Sequence, residues 1–369
     1  MIPVNVPRLG ARERELVLEC LETSWISGRG PYVSRFEAEF ARYCGARYGV
    51  STPTGTTALH LALAALGLGP GDEVIMPALT IISCAFAIVY TGARPVLVDS
   101  DPLTGNLDPA QVEARITPRT RAIMPVHLYG HPVDMDPLLE IARRHNLAVV
   151  EDAAEAHGAL YRGRVVGGLG TIGCFSFYAN KLITTGEGGM VVTSDEALAG
   201  RADRLKELAH IPGRRFLHDE IGFNYQMTNL QAALGLAQLE RIEEFITKKR
   251  WMADLYRELL ADVPGLLLPS EAPWARSVYW MYAVRVTPEA GLSRDQVMSG
   301  LRERGVDTRT FFTPMHQQPV FQRRGWFAGE RYPVAEELAQ TGFYLPSGLA
   351  ITEEQIQTVC AAVKDVMGR

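Results

Sequence analysis

Between Arg47 and Thr193 seven short apolar runs alternate with helical patterns, and this alternation constrains the fold more than any other feature. The runs are RYGVS (47–51), DEVIMP (72–77), RPVLVD (94–99), RAIMPVH (121–127), LAVVED (147–152), GCFSFY (173–178) and GMVVTS (189–194). Between them, GTTALHLALAALG (55–67) and DPLLEIARRHN (136–146) carry apolar residues at helical spacing. Strand and helix in alternation imply an α/β fold with a mostly parallel seven-stranded sheet covered on both faces. Ligands then sit at the carboxyl ends of the strands.

After about Gly222 the pattern changes. Residues 229–260 read as one or two long amphipathic helices with a polar face at Glu240, Glu243, Lys248 and Arg250. Short strands (266–269, 279–286) and helices (293–304, 353–367) follow. The expected division is a large domain over 1–245 and a smaller α+β domain over 246–369, with the boundary inside the long helix.

Composition narrows the function classes. The chain has 369 residues, 47% hydrophobic and 21% charged, which excludes disorder, collagen-like repeats and a bare coiled coil. A net charge of −5 disfavours a sequence-independent hold on nucleic acid or an anionic membrane. The longest apolar stretch, around Ile81 to Tyr90, is too short to span a bilayer, and the N-terminal MIPVNVPRLG lacks a signal-peptide pattern. The expected location is the cytoplasm. Five scattered cysteines fit neither a disulfide framework nor a zinc site and read as small buried residues; no metal is expected. Only five of the 37 basic residues are lysine, so amine chemistry has few candidates.

Four segments bear on chemistry. Gly168, Gly170 and Gly173 spell GxGxxG, but they lead into a strand instead of opening a helix, so a nicotinamide enzyme is not expected. Thr54–Thr57 (TGTT) stands between a strand and an apolar helix. It reads equally as a phosphate cup at a helix N-terminus or as a plain cap. Glu151 to Gly158 (EDAAEAHG) ends a strand with acids facing the crevice, beside small residues that leave room for something flat. Lys181, in SFYANKLITTGEGG, follows an apolar strand and precedes Leu182, Ile183 and a glycine-rich turn. Lys206, Lys248 and Lys249 read as members of charged helical faces, and Lys364 lies in the last helix. A lysine against apolar surroundings has a lowered pKa and attacks carbonyls near neutral pH. A phosphate cup, a strand-end acid and a secluded lysine together meet the needs of pyridoxal 5'-phosphate.

Across its length the chain resembles the DegT/DnrJ/StrS family of pyridoxal-phosphate sugar aminotransferases. The matching stretches include WISGRGPYVSRFEAEFARYCG, TGTTALHLALAALGLGPGDEVIMPALT, VVEDAAEAHGA, CFSFYANKLITTGEGGMVVT and GFNYQMTNLQAALGLAQLERI. The resemblance implies the transferase fold type I (aspartate aminotransferase-like). It assigns Lys181 as the Schiff-base lysine, Asp152 as partner of the pyridine nitrogen, and Glu155 as neighbour of the ring hydroxyl. Gly55, Thr56 and Ser176 fall where the family grips the phosphate. Asn229 matches an asparagine lent across a homodimer to the neighbour's cofactor, so shared active sites are implied. His316 and Tyr178 are the implied substrate contacts. Where many relatives carry an aromatic residue that stacks on the ring, Thr80 is followed here by Ile81 and Ile82, which predicts an aliphatic face.

The implied reaction has two halves. Glutamate gives its amino group to the cofactor, leaving pyridoxamine 5'-phosphate and 2-oxoglutarate. The amine then goes to the C4 ketone of a nucleotide-linked 4-keto-6-deoxy sugar. The wording around Lys181 and Asn229 is most like the perosamine-forming branch, which acts on GDP-4-keto-6-deoxymannose; dTDP- or UDP-linked 4-keto or 3-keto sugars are the alternative. The dehydratase branch replaces the lysine with histidine, so Lys181 favours transamination. A non-catalytic cofactor-binding regulator is the remote alternative, and the acidic net charge and lack of a helix-turn-helix signal argue against it.

Overall fold

The computed structural model describes residues 1–368. All seven apolar runs form strands of one sheet: β1 (Tyr48–Thr52), β2 (Glu73–Pro77), β3 (Arg94–Val98), β4 (Thr120–Ile123), β5 (Ala148–Asp152), β6 (Ile172–Ser176) and β7 (Gly189–Thr193). Their order is β1–β7–β6–β5–β4–β2–β3, and β7 alone runs antiparallel to its neighbours. Every residue of β2, β6 and β7 is buried, which is why these runs are apolar apart from Glu73, Ser176 and Thr193 at their ends and do not alternate.

Eight helices belong to this unit's first 260 residues: α1 (Ala11–Glu22), α2 (Pro31–Tyr43), α3 (Gly55–Ala65), α4 (Ile82–Tyr90), α5 (Met135–His145), α6 (Glu196–Lys206), α7 (Asn229–Leu239) and α8 (Ile242–Leu260). Local chemistry sets their ends. Thr54 and Thr57 form a capping box at α3, Thr228 and Gln231 do the same at α7, and Asn146 ends α5 in the left-handed region at φ 51°. The segment 229–260 is thus two helices, broken at Glu240 and Arg241.

The C-terminal part builds a second sheet from β8 (Leu266–Leu267), β9 (Tyr282–Val286), β10 (Arg309–Thr310) and β11 (Gly342–Leu345), in the order β8–β9–β11–β10 and antiparallel throughout. Helices α9 (Arg294–Glu303), α10 (Pro333–Thr341) and α11 (Glu353–Val366) accompany it. Its core joins Met252, Tyr256, Tyr282, Val284, Phe343, Leu345, Ile356 and Val363. The start of α8 (Ile242, Phe245, Ile246) instead packs with Phe36 and Phe175 of the large unit. Residue 245 therefore lies within a helix that serves both cores.

One long stretch departs from the expected division. Phe311, Met315, Phe321, Phe327, Tyr332 and Leu338 pack in the core that holds Met76, Leu79, Ile88 and Leu97. Met315 N–H donates to Ala78 O at 2.8 Å, and the Asp99 carboxylate accepts from Val334 N (3.1 Å) and Ala335 N (2.8 Å), capping α10 from another element. The N-terminus crosses the other way: Ile2 bridges Val306, and Ser347 N–H donates to Val4 O at 2.7 Å. Among the described residues no helix is long and apolar enough to cross a membrane.

Sheet register places the chemistry. Thr52 at the end of β1 and Ser176 at the end of β6 both pair with Gly189, and Asp152 at the end of β5 pairs with Cys174. One carboxyl edge thus collects Gly55, Asp152, Ser176 and Lys181.

Candidate active site

Lys181 lies in the turn that follows β6, its N–H donating to Tyr178 O at 2.9 Å. Only 11% of its side chain is exposed, and its Nζ stands 3.8 Å from Glu155 Oε1. Burial pushes the amine below the ordinary lysine value, against the pull of the Glu155 and Asp152 carboxylates. The same Nζ lies 3.9 Å from the centre of the Trp280 ring. Trp280 is held by its indole N–H, which donates to Asn180 O at 2.8 Å.

The EDAAEAH segment divides its labour. Glu151 faces away from Lys181: its carboxylate accepts the N–H groups of Gly167 (2.7 Å), Leu169 (2.7 Å) and Gly170 (2.5 Å), with His127 Nε2 at 3.1 Å. The glycine loop at 167–173 therefore wraps the protein's own anion, and not a dinucleotide. Asp152 is 2% exposed; its Oδ1 accepts from Ala154 N at 3.0 Å and its Oδ2 from the Cys84 thiol at 3.0 Å. Glu155 is buried and lifted to about 7 by desolvation, with Lys181 and the Tyr129 N–H (2.8 Å) opposing. Tyr129 makes that bond from the left-handed region, φ 53°, a conformation that costs a bulky residue energy. His157 sits apart, its buried ring among Phe40, Phe175 and Phe177, and burial drops it to about 3.

The TGTT segment is both a cap and a cup. Thr54 Oγ1 accepts from Thr57 N at 3.1 Å, while the Gly55 and Thr56 N–H groups lie in the first helical turn, where no intrahelical acceptor exists. A Cβ on Gly55 would lie 2.5 Å from Ser176 Cβ and 3.0 Å from Ser176 Oγ, so glycine is what lets the helix end meet the strand end. Thr56 Oγ1 hydrogen-bonds Ser83 Oγ at 3.0 Å, and Ser176 Oγ accepts from Tyr178 N at 3.3 Å. Ile81, half-buried, occupies the N-cap position of α4.

The structure corrects the reading of two lysines, and it shows what holds Asn229 within its own chain. Asn229 is 1% exposed and engaged within its own chain: Nδ2 donates to Trp25 O (2.7 Å) and Cys20 Sγ (3.2 Å), and Oδ1 accepts from Tyr32 N (2.9 Å). Lys249 is no surface residue. It is 2% exposed, donates to Trp280 O at 2.7 Å and to Ser347 O, and burial lowers it to about 7. Lys206 is likewise buried, on Glu37 at 2.7 Å and Asp203 at 3.2 Å. His316 pairs with Glu336 at 3.0 Å and lines a cleft with Gln322, Trp326 and Arg331, while Tyr178 is 47% exposed beside the Lys181 turn. Cys84, Tyr129, Lys249 and Trp280 were missed as site neighbours; each lies far along the chain from its partner, and no local pattern signals it.

These features fit pyridoxal phosphate: a secluded amine, a buried carboxylate one strand away, and a glycine-opened helix N-terminus against Ser176. Among the described residues no group of three or more His, Cys, Asp or Glu is placed to hold a metal ion. The family model for DegT/DnrJ/EryC1/StrS aminotransferases matches residues 7–364. The chain belongs to that family. This aminotransferase is 49% identical, over 99% of its length and 98% of the relative's, to GDP-perosamine synthase of Caulobacter vibrioides (strain ATCC 19089 / CIP 103742 / CB 15). It is 43% identical to GDP-perosamine synthase of Escherichia coli O157:H7, again over 99% and 98%. The crystal structure of S. venezuelae DesV in complex with a ketimine intermediate superimposes with a TM-score of 0.91 at 39% identity, covering 97% of this chain and 94% of that one. The fold is the α/β architecture expected, with its large, mostly parallel sheet.

Proposed function

We propose that this aminotransferase moves the amino group of L-glutamate to the C4 ketone of GDP-4-keto-6-deoxymannose, giving GDP-perosamine. The observation that carries the substrate is the 49% identity to a GDP-perosamine synthase across essentially the whole of both chains. The arrangement at the sheet edge supports the chemistry. Bound pyridoxal phosphate supplies an aldehyde for imine formation and a ring that accepts electrons from the substrate carbon.

The chain's own groups do the rest. Lys181 Nζ, kept neutral more readily than an exposed lysine, is the base that takes the α-proton of glutamate and returns a proton at the sugar's C4. Asp152 holds a proton at the ring nitrogen, and Glu155, whose carboxylate stands 3.8 Å from Lys181 Nζ, is the neighbour of the ring hydroxyl. The N–H groups of Gly55 and Thr56, with Ser176 Oγ, hold the phosphate. Tyr178, 47% exposed beside the Lys181 turn, and His316 are the residues this reading assigns to the sugar nucleotide.

A cytoplasmic homodimer is part of this reading. Leu18, Leu21, Trp25 and Ile26 are all about half exposed along and just after α1, an apolar run that a second copy would cover. The test is a half-reaction screen of the pyridoxamine form against GDP-, dTDP- and UDP-linked 4-keto-6-deoxy sugars. The GDP sugar should react fastest; preference for a dTDP or UDP sugar overturns the substrate. Lys181→Ala should lower turnover by about 10²–10⁴-fold, and undiminished turnover overturns the mechanism.

A further inference from the structure

The buried carboxylate that faces the crevice is not held by backbone alone. Cys84, on the first turn of α4, is 0% exposed, and its Sγ lies 3.0 Å from Asp152 Oδ2. Thr80, 1% exposed, stands behind it with Oγ1 at 3.6 Å from Cys84 Sγ. The carboxylate accepts only, so the thiol is the donor at that contact, and the sulfur is left to accept from the Thr80 hydroxyl. Burial and the adjoining negative charge both push the Cys84 thiol up, which keeps its hydrogen in place. The result is a directed chain, hydroxyl to thiol to carboxylate, from the loop after β2 to the end of β5.

We infer that Cys84 is a positioning residue: its thiol, oriented by Thr80, fixes the Asp152 carboxylate towards the ring nitrogen of the cofactor. This rests on the reading that Asp152 serves that nitrogen. The Asp152 carboxylate has one other donor among the described contacts, the backbone N–H of Ala154 on Oδ1. Without the thiol, Oδ2 would lose its only protein donor among the described contacts, and the carboxylate would turn about its Cα–Cβ bond. A buried charged acceptor stripped of a donor is costly, so the cofactor's grip weakens with it.

The test uses the full-length protein with pyridoxal phosphate as the probe. Cys84→Val keeps an apolar side chain of similar bulk and removes the donor; Cys84→Ser keeps a donor. The inference expects Cys84→Val to raise the cofactor dissociation constant about tenfold and to shift the pH dependence of the bound cofactor's absorbance. Cys84→Ser should stay within about twofold of the parent on both. A purely packing role gives the reverse order, with valine tolerated and serine impaired, and that result overturns the inference.

If Cys84→Val does not fold, the S–H infrared stretch of the cofactor-free protein decides. The band lost in Cys84→Ser should lie at the low frequency of a hydrogen-bonded thiol in the parent and move upward in Asp152→Asn. A band that ignores Asp152→Asn overturns the inference. Borohydride trapping of cofactor on Lys181 separates the two failures: no label at Lys181 sinks the cofactor reading, whereas a label with an indifferent thiol sinks only the role of Cys84.

Discussion

Replacing Lys249 by methionine isolates the energetic weight of one buried amine. Lys249 Nζ has two carbonyl acceptors, Trp280 O and Ser347 O, and the desolvation that lowers its pKa from 10.5 to about 7 has no carboxylate to offset it. In the unfolded chain the amine is protonated up to about pH 10.4. Between pH 7 and that value the unfolded state therefore binds more protons than the folded one, and stability rises with pH. The slope approaches a tenfold change in the unfolding constant per pH unit, or about 3 kcal/mol between pH 7 and pH 9. Methionine removes the titration and leaves the two carbonyls without their donor, a pH-independent loss of about 1–3 kcal/mol each. The assay is urea unfolding of the parent and of Lys249→Met from pH 7 to pH 9.5. The parent's stability, minus the variant's, should climb with pH. Parallel curves would refute the reasoning, because they would mean the amine titrates where a solvated lysine does.

Three further outcomes are expected. Glu155→Gln should abolish a titration near 7: a carboxyl raised from 4.5 to about 7 in the folded state costs stability as pH rises through that window, so the parent's stability minus the variant's should fall from pH 4.5 to pH 7 in the cofactor-free protein. Gly55→Ala forces a methyl to 2.5 Å from Ser176 Cβ between two fixed elements, and should cost about 1–3 kcal/mol of stability and weaken cofactor binding in a titration. Asp99→Ala removes the acceptor of the Val334 and Ala335 N–H groups and should cost about 0.5–2 kcal/mol, seen as faster hydrogen exchange confined to the start of α10.

The sheet was legible because a strand buried on both faces is apolar along its middle, as β2, β6 and β7 are, with Glu73, Ser176 and Thr193 only at their ends. Lys181 was legible for a related reason, a charged residue where the flanks are apolar. Helical periodicity misled at Lys249: it puts the residue beside Lys248 and Arg250 on a polar face, but the acceptors that bury it lie 31 and 98 residues away. The partners that hold Asn229 within the chain, Trp25, Cys20 and Tyr32, lie 197 to 209 residues away, beyond the reach of any local pattern. Residues 311–338 were assigned to the smaller unit by position alone, and nothing local tells an apolar run which of two cores it will join.

That last stretch has a mechanical consequence. The C-terminal lobe is stitched to its neighbour by Ile2 at Val306, Val4 at Ser347, Ala78 at Met315 and Asp99 at α10, four contacts carried by three lengths of chain. A clam-like swing about α8 would have to tear several of them at once.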